Sequence, residues 1–132
     1  MGLHVDTASN LPIYQQLAQQ IRGAIARGEM PPNSGLPSVR QLSRDLVVNP
    51  NTVARAYTEL EREGLLISRP GRGIYVAQPR NELTQAARDR RLSEQLDRWL
   101  TEAVHLGYSA EEVLRLVAES IQHFQWQAER AA

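Results

Sequence analysis

Three segments in the first half of the chain carry apolar residues at the three- and four-residue spacing of an amphipathic helix. The first segment follows Asn10-Leu11-Pro12, a capping side chain with an early proline, and it runs until Gly28. Its apolar positions are Tyr14, Leu17, Ala18, Ile21, Ala24 and Ile25. The pattern predicts one helix that begins after Asn10 and ends near Gly28.

Two shorter helices are predicted next. Ser38 and Gln41 have the spacing of a capping box, and the apolar stripe that follows is Val39, Leu42 and Leu46. Asn49-Pro50 then signals another start, and this helix ends near Gly64. Its apolar stripe is Val53, Ala56, Tyr57 and Leu60. Because so few residues separate the two helices, they form a helix-turn-helix pattern.

A β-hairpin is predicted after these helices. Residues 65–68 and 74–77 are short runs rich in apolar and β-branched side chains, and the intervening residues 69–73 contain Gly71 and Gly73. Three helices followed by such a hairpin form a winged helix-turn-helix, in which the loop is the wing.

The remainder of the chain predicts an αα-hairpin. The first of its two helical patterns is Leu92, Leu96, Trp99, Leu100 and Ala103. The second starts at the capping box of Ser109 and Glu112, and its stripe is Val113, Val117, Ile121, Phe124 and Ala128. Two helices cannot enclose a core on all sides, so these stripes are expected to meet those of a second copy. The expected dimer contacts are Leu92, Leu96, Trp99, Leu100, Val113, Val117, Ile121 and Phe124.

The predicted fold is therefore mainly α with a small β-hairpin. We place an N-terminal winged helix-turn-helix domain at residues 1–78, a linker at 79–82, and an αα-hairpin dimerisation domain at 83–132.

Composition narrows the possible functions. At 132 residues with 42% hydrophobic side chains, the chain is globular and too short for a large catalytic architecture. It contains no cysteine, which excludes disulfides, a thiolate nucleophile and cysteine-ligated zinc. There is no signal-peptide pattern and no apolar run of about 18 residues, so we expect a cytoplasmic protein without a membrane partner.

The net charge of zero conceals an asymmetry. Residues 1–80 contain nine Arg against six Asp and Glu, or +3, whereas residues 81–132 contain six against nine, or −3. An excess of positive charge favours a polyanion such as nucleic acid as a partner, although ordinary domains reach the same excess.

Polar residues cover the outer face of the third helix. Asn51, Arg55, Thr58 and Arg62 face away from the apolar stripe, with Thr52 at the edge, and the first two turns contain no acid. Asn can bind adenine and Arg can bind guanine in the major groove. The same face is also compatible with an ordinary solvated helix surface.

Further arginines are candidates for the DNA backbone. Arg40 and Arg44 lie one turn apart on the preceding helix, which usually crosses the phosphates. Arg69 and Arg72 flank Pro70-Gly71 in the predicted wing, where arginine can reach the minor groove. Taken singly, each could be solvated surface arginine or ordinary turn chemistry.

Five blocks, in this order, resemble the GntR family of bacterial transcription regulators over residues 11–77. They are Pro12-Ile13-Tyr14-Gln15-Gln16-Leu17, Leu36-Pro37-Ser38-Val39-Arg40-Gln41-Leu42, Asn49-Pro50-Asn51-Thr52-Val53-Ala54-Arg55-Ala56-Tyr57, Glu61-Arg62-Glu63-Gly64-Leu65 and Gly71-Arg72-Gly73-Ile74-Tyr75-Val76. The resemblance implies a winged-helix domain that binds double-stranded DNA. Together with the dimer expected from the αα-hairpin, our interpretation is a homodimeric transcriptional regulator, expected to be a repressor. It implies DNA contacts by Arg40, by Asn49, Asn51 and Thr52, and by Gly71 in the wing.

Some positions depart from the family pattern. Many members have arginine where this chain has Pro50 and Ala54, and the form found here, with its short tail, resembles the YtrA-like subfamily. That subfamily implies transporter or envelope-stress genes as targets. The 52 residues of the tail are too few for the large effector-binding domains of other branches, so we expect no metabolite pocket of that kind. Val47 stands where glycine is usual, so a left-handed backbone there would cost roughly 1–2 kcal/mol.

Other interpretations remain open at this point. His105 and His123, with Glu102 or Glu119, could approach as metal ligands, although solvent-facing histidine is more usual. Trp99, Tyr108, Phe124 and Trp126 could line a small ligand pocket instead of a core. We expect no cofactor, no metal and no catalytic residue, and the effector is unknown. The alternative function is a winged-helix module that binds proteins and not specific DNA.

Overall fold

The computed structural model describes residues 2–79 and 83–126, which form two compact units. The first unit, called here the head, contains the described residues up to Pro79 together with Gln125 and Trp126. The second, called the hairpin unit, contains residues 83–124. Most of the linker predicted at 79–82, and Ala128 of the predicted dimer stripe, lie outside the described residues.

The elements follow the predicted order of a winged helix-turn-helix and an αα-hairpin, which confirms the fold class. They are α1 (Ile13–Ala26), β1 (Gly35–Leu36), α2 (Val39–Leu46), α3 (Pro50–Arg62), β2 (Leu66–Arg69), β3 (Gly73–Val76), α4 (Gln85–His105) and α5 (Ala110–Ile121). No helix in the part of the chain that the structure describes has the length and apolar character needed to cross a membrane.

The helix starts show which local signals were sufficient. Ser38, Asn49 and Ser109 are N-caps as predicted, and each accepts a hydrogen bond from a backbone N–H of its helix. The predicted capping role of Asn10 is wrong, because α1 begins after Pro12 and has no side-chain cap. Proline still favours this start, since it fixes φ and leaves no first-turn N–H to satisfy.

The sheet has one strand more than predicted. β1 pairs antiparallel with β3, and β3 pairs with β2, which gives the order β1-β3-β2. The two residues of β1 are too few to produce an alternating pattern. The wing is also shorter than predicted, since Arg69 and Gly73 are opposite each other in the ladder and only residues 70–72 form the turn.

One hydrophobic core holds the head together. The apolar stripes of α1 and α3 face each other, and α2 and the sheet close the sides. The buried core residues are Leu17, Ala18, Ile21, Leu42, Val53, Ala56, Tyr57, Leu60, Leu66 and Val76. Because these side chains close on one another, the outer faces of α2 and α3 are left to polar residues.

An extended N-terminal segment is fastened to α1 by two glutamines. The Gln16 side chain accepts from the Asp6 N–H at 2.9 Å and donates to the Asp6 and Leu11 carbonyls at 3.0 and 2.7 Å. One turn on, Gln20 forms the same pair of bonds with the N–H and carbonyl of His4. Gln16 is only 8% exposed, and these bonds satisfy its buried amide.

The hairpin unit has almost no core of its own. In α4 only Ala103 is buried, and in α5 no residue is buried. The predicted second helix is too long, because α5 ends at Ile121 and Phe124 lies beyond it. All eight predicted dimer contacts are present in the described residues and are exposed or only half-buried in the single chain.

Candidate nucleic-acid interface

The outer face of α3 is polar and exposed. Asn51, Arg55, Thr58 and Arg62 lie along it and are all exposed, whereas Thr52, at the edge, is half-buried. The opposite stripe of Val53, Ala56, Tyr57 and Leu60 is buried in the core. The helix therefore cannot turn this polar face inward without exposing its apolar one.

The start of α3 presents donors and no acid. The Asn49 Oδ1 accepts the N–H of Asn51 at 2.8 Å, and Pro50 occupies the first turn. The positive end of the helix dipole is thus uncompensated by a carboxylate, which favours anions. The cap uses one lone pair of the Asn49 Oδ1, so the predicted DNA contact of Asn49 is left to its amide donor and the second lone pair.

Helix α2 carries Arg40 and Arg44 on its exposed side, while Leu42 and Ser43 are buried. The hydroxyl of Tyr57, on α3, donates to the Pro37 carbonyl just before α2 at 2.8 Å. Burial raises the pKa of Tyr57 above its usual value, so the phenol stays protonated and keeps this bond. The bond fixes the start of α2 against the core-facing side of α3.

The turn between α2 and α3 has a strained backbone. Val47 has φ 55° and ψ 51°, the left-handed region, and is 89% exposed. Two hydrogen bonds between Ser43 and Val48 close this turn. The Ser43 Oγ donates to the Val48 carbonyl at 2.5 Å, and the Ser43 carbonyl accepts the Val48 N–H at 3.1 Å. The left-handed backbone expected at a position usually held by glycine is therefore present with a β-branched side chain.

The wing places its two arginines differently. Arg72 is exposed within the 70–72 turn, where its N–H donates to the Arg69 carbonyl at 2.9 Å, and Gly71 adopts a positive φ of 73°. Arg69 belongs to β2 and not to the loop, which corrects its predicted placement. Its guanidinium lies 4.8 Å from the Tyr75 ring centroid and donates to the Asn33 Oδ1 at 3.4 Å.

Acids occur only toward the end of α3, and two of them have partners in other elements. Glu61 accepts the Ser68 hydroxyl at 2.6 Å, and the Glu63 carboxylate pairs with Arg22 at 2.7 Å. The hydrogen bonds and charge of Glu63 raise the pKa of Arg22. Since Glu63 follows the last turn, its charge is about 18 Å along the helix from Asn51. The helix is therefore electrostatically polarised, with its acid-free end at the proposed DNA contact.

One contact at this surface could not be found from the sequence pattern. The Cζ of Arg55 lies 3.8 Å from the ring centroid of Tyr14, in the first turn of α1. The two residues are far apart in the chain, and Tyr14 was predicted only as part of the apolar stripe of α1. The Arg55 guanidinium and the Tyr14 ring both belong to the head, and Arg55 remains exposed while it makes this contact.

The metal site and the aromatic ligand pocket considered from the sequence have less support in the structure. Within residues 2–79 and 83–126, no group of three or more His, Cys, Asp or Glu side chains is placed to hold a metal ion. Trp99 and Tyr108 line a recess of about 210 Å³ in the hairpin unit, together with Ala103 and Val113. This volume is below the roughly 300 Å³ at which ligand pockets usually begin.

Comparison with known proteins gives the family. Residues 13–76 match the model of the "Bacterial regulatory proteins, gntR family". The chain is 35% identical to the transcriptional repressor YtrA of Bacillus subtilis (strain 168), over 89% of this chain and 90% of that protein.

Solved structures agree with this similarity. A protein from Listeria monocytogenes EGD-e described as a transcriptional antiterminator superposes with a TM-score of 0.79 at 29% identity, covering 99% of this chain and 98% of that one. The DNA-binding domain of AraR, solved in complex with operator ORX1, superposes with a TM-score of 0.50 at 30% identity, covering 56% of this chain and 98% of that one. The chain belongs to the GntR family, as a YtrA-like transcription regulator with a DNA-binding winged helix.

Proposed function

We propose that the protein is a homodimeric transcriptional repressor that binds a pseudo-palindromic operator. The observation that carries the proposal is the exposed surface formed by Arg40 and Arg44 of α2 and by the first turns of α3, which contain no acid. The operator complex of the related AraR domain supports DNA as the partner, and the repressor activity named for the Bacillus subtilis YtrA protein supports the sign of regulation.

Residues of α3, α2 and the wing contact different parts of the DNA. Asn51, Thr52 and Arg55, on α3, contact bases in the major groove. Arg40 and Arg44, on α2, bind phosphates, and the N-cap Asn49 donates its amide there. The wing contributes Arg69, Gly71 and Arg72 on the minor-groove side.

The hairpin unit supplies the dimer. Its apolar side chains are exposed in the single chain, whereas soluble proteins rarely expose large contiguous apolar patches. A second copy of the same hairpin covers them, and the two-fold symmetry of that pair is matched by the two half-sites of the operator.

Arg40→Ala tests the DNA surface. We expect it to lower operator affinity by about 100-fold, because the dimer carries the change twice and a tenfold loss per half-site multiplies to that value. Binding is measured by fluorescence anisotropy on a duplex selected from a random pool. Arg22→Ala is the matched control, since it removes the same charge from the head near the far end of α3. Equal affinities of Arg40→Ala and wild type would overturn the assignment.

Arg72→Ala separates positioning from base recognition. We expect affinity to fall on every duplex alike and the slope of log affinity against log salt to become less steep by about one per wing. A loss confined to one base pair would instead make Arg72 a base contact.

The same salt titration tests the alternative of a protein-binding module. A DNA-binding protein loses duplex affinity steadily as salt rises, because it releases counterions from phosphates. A chain that binds no duplex at low salt would overturn the proposed function.

A further inference from the structure

Arg55 is the one arginine in the first two turns of α3, so the capacity of this helix to bind guanine there depends on a single side chain. An arginine on an exposed helix face ordinarily samples many rotamers. The side-chain entropy that is lost when DNA fixes one of these rotamers opposes binding. Contacts that restrict the Arg55 side chain in the free protein therefore affect how well it selects one base pair.

The structure places an aromatic ring against this side chain. The Arg55 Cζ is 3.8 Å from the Tyr14 ring centroid, a normal contact distance for stacked planar groups and well inside the range of cation–π attraction. The donors of a guanidinium lie in its plane. Parallel stacking at this distance would leave those in-plane N–H groups available for a base edge.

Tyr14 is itself held in place. It lies in the first turn of α1, half-buried, and packs against the hydrophobic core of the head. Its hydroxyl accepts a hydrogen bond from the Gln15 Nε2 at 3.0 Å. The ring is thus packed against the core of the head, whereas the arginine beside it is the exposed partner.

We propose that Tyr14 is a positioning residue for DNA recognition, whose ring holds the Arg55 guanidinium in the orientation that selects one base pair of the half-site. This inference rests on the proposed DNA-binding function. Tyr14 acts through Arg55, so the base preference given by Arg55 depends on the ring and not on the hydroxyl.

The test is a double-mutant cycle with a base-specific readout. Affinities of wild type, Tyr14→Leu, Arg55→Ala and the double variant are measured on duplexes that carry each of the four base pairs at every half-site position. We expect Tyr14→Leu to lower the preference at the position lost in Arg55→Ala by about fivefold, with little change elsewhere. The double variant should have the same base preference as Arg55→Ala alone, because the ring acts only through Arg55.

Matched variants separate positioning from folding. Tyr14→Phe keeps the ring, so its preference should stay within about twofold of wild type. Tyr14→Met is a second ring-free variant in case leucine packs badly, and thermal unfolding checks that each variant is folded. Arg55→Lys should behave like Arg55→Ala at this position, because an ammonium lacks the planar fork.

Several outcomes would overturn the inference. They are an unchanged preference in both ring-free variants, a loss spread evenly over all base pairs, and additive effects of the Tyr14 and Arg55 changes. A uniform loss in Arg55→Ala would also overturn it, since Arg55 would then contact only phosphate. Failure of the wild type to select any duplex would instead reject the proposed function.

Discussion

The head and the hairpin unit are both built from amphipathic helices, but they use their apolar stripes differently. In the head, Leu17, Ile21, Val53 and Leu60 are completely buried against one another. In the hairpin unit, Val117 and Ile121 of the α5 stripe are 37% and 45% exposed, and no residue of the helix is buried. The first set of stripes forms a complete core within one chain, whereas the second set stays exposed in the single chain and is the surface that we propose for the dimer contact.

The largest expected effect is loss of core packing in the head. Leu60→Ala should lower the free energy of unfolding by about 3 kcal/mol, because it removes buried methyl groups and leaves a cavity. Urea denaturation followed by circular dichroism measures it. Ile67→Ala, at a half-exposed position in β2, should cost less than about 1 kcal/mol. Equal losses in the two variants would contradict the description of a closed core.

A charge on the hairpin stripe should be the next largest effect. Val117→Glu should raise the dimer dissociation constant at least about 30-fold, since it buries a carboxylate in an apolar contact. Sedimentation velocity measures the association. Ala118→Glu, turned by about 100° around α5, is the control and should change it little. A Val117→Glu protein as dimeric as wild type would show that the stripe is not the interface.

A smaller effect is expected at the strained turn of the head. Val47→Asn should raise the free energy of unfolding by about 1 kcal/mol, because asparagine tolerates the left-handed region and the exposed valine packs against little. Val47→Ala keeps the strain and should stay within about 0.5 kcal/mol of wild type. Thermal and urea unfolding measure both. A destabilised Val47→Asn protein would mean that the valine has a packing role.

The smallest effect is expected at the surface ion pair. Arg22→Gln should lower the free energy of unfolding by less than about 0.5 kcal/mol, because Arg22 and Glu63 are 41% and 39% exposed and the pair is screened. Unfolding of both proteins in low salt and in 1 M salt measures how much of the contribution of the ion pair to stability is removed by screening. A loss as large as that of Leu60→Ala would make this pair, and not the core, the main support of the head.

Short-range signals explain most of what the sequence predicted correctly. The caps at Ser38, Asn49 and Ser109 depend on neighbours two or three residues away, so they are visible in the sequence itself. Apolar spacing likewise located the head core, since helical period alone determines which side chains share a face. Short apolar and β-branched runs on either side of Gly71 and Gly73 located the wing in the same way.

The features that sequence could not predict depend on distant partners. β1 exists only because Gly35 and Leu36 pair with Tyr75 and Ile74 across the fold. The positions of Arg55 against Tyr14 and of Arg69 against Tyr75 depend on which elements pack together, so a pattern along one helix or strand does not contain them. The roles of these arginines on DNA remain predictions for the same reason.

The glutamine fastening of the N-terminal segment has a chemical consequence for stored protein. Deamidation of Gln16 would replace its donating nitrogen with a carboxylate oxygen facing the Asp6 and Leu11 carbonyls, two acceptors that would then repel it. A change of one mass unit would thereby loosen the chain around Asp6 while Gln20 still holds His4, and aged samples would be cut by proteases near Asp6 more readily than fresh samples.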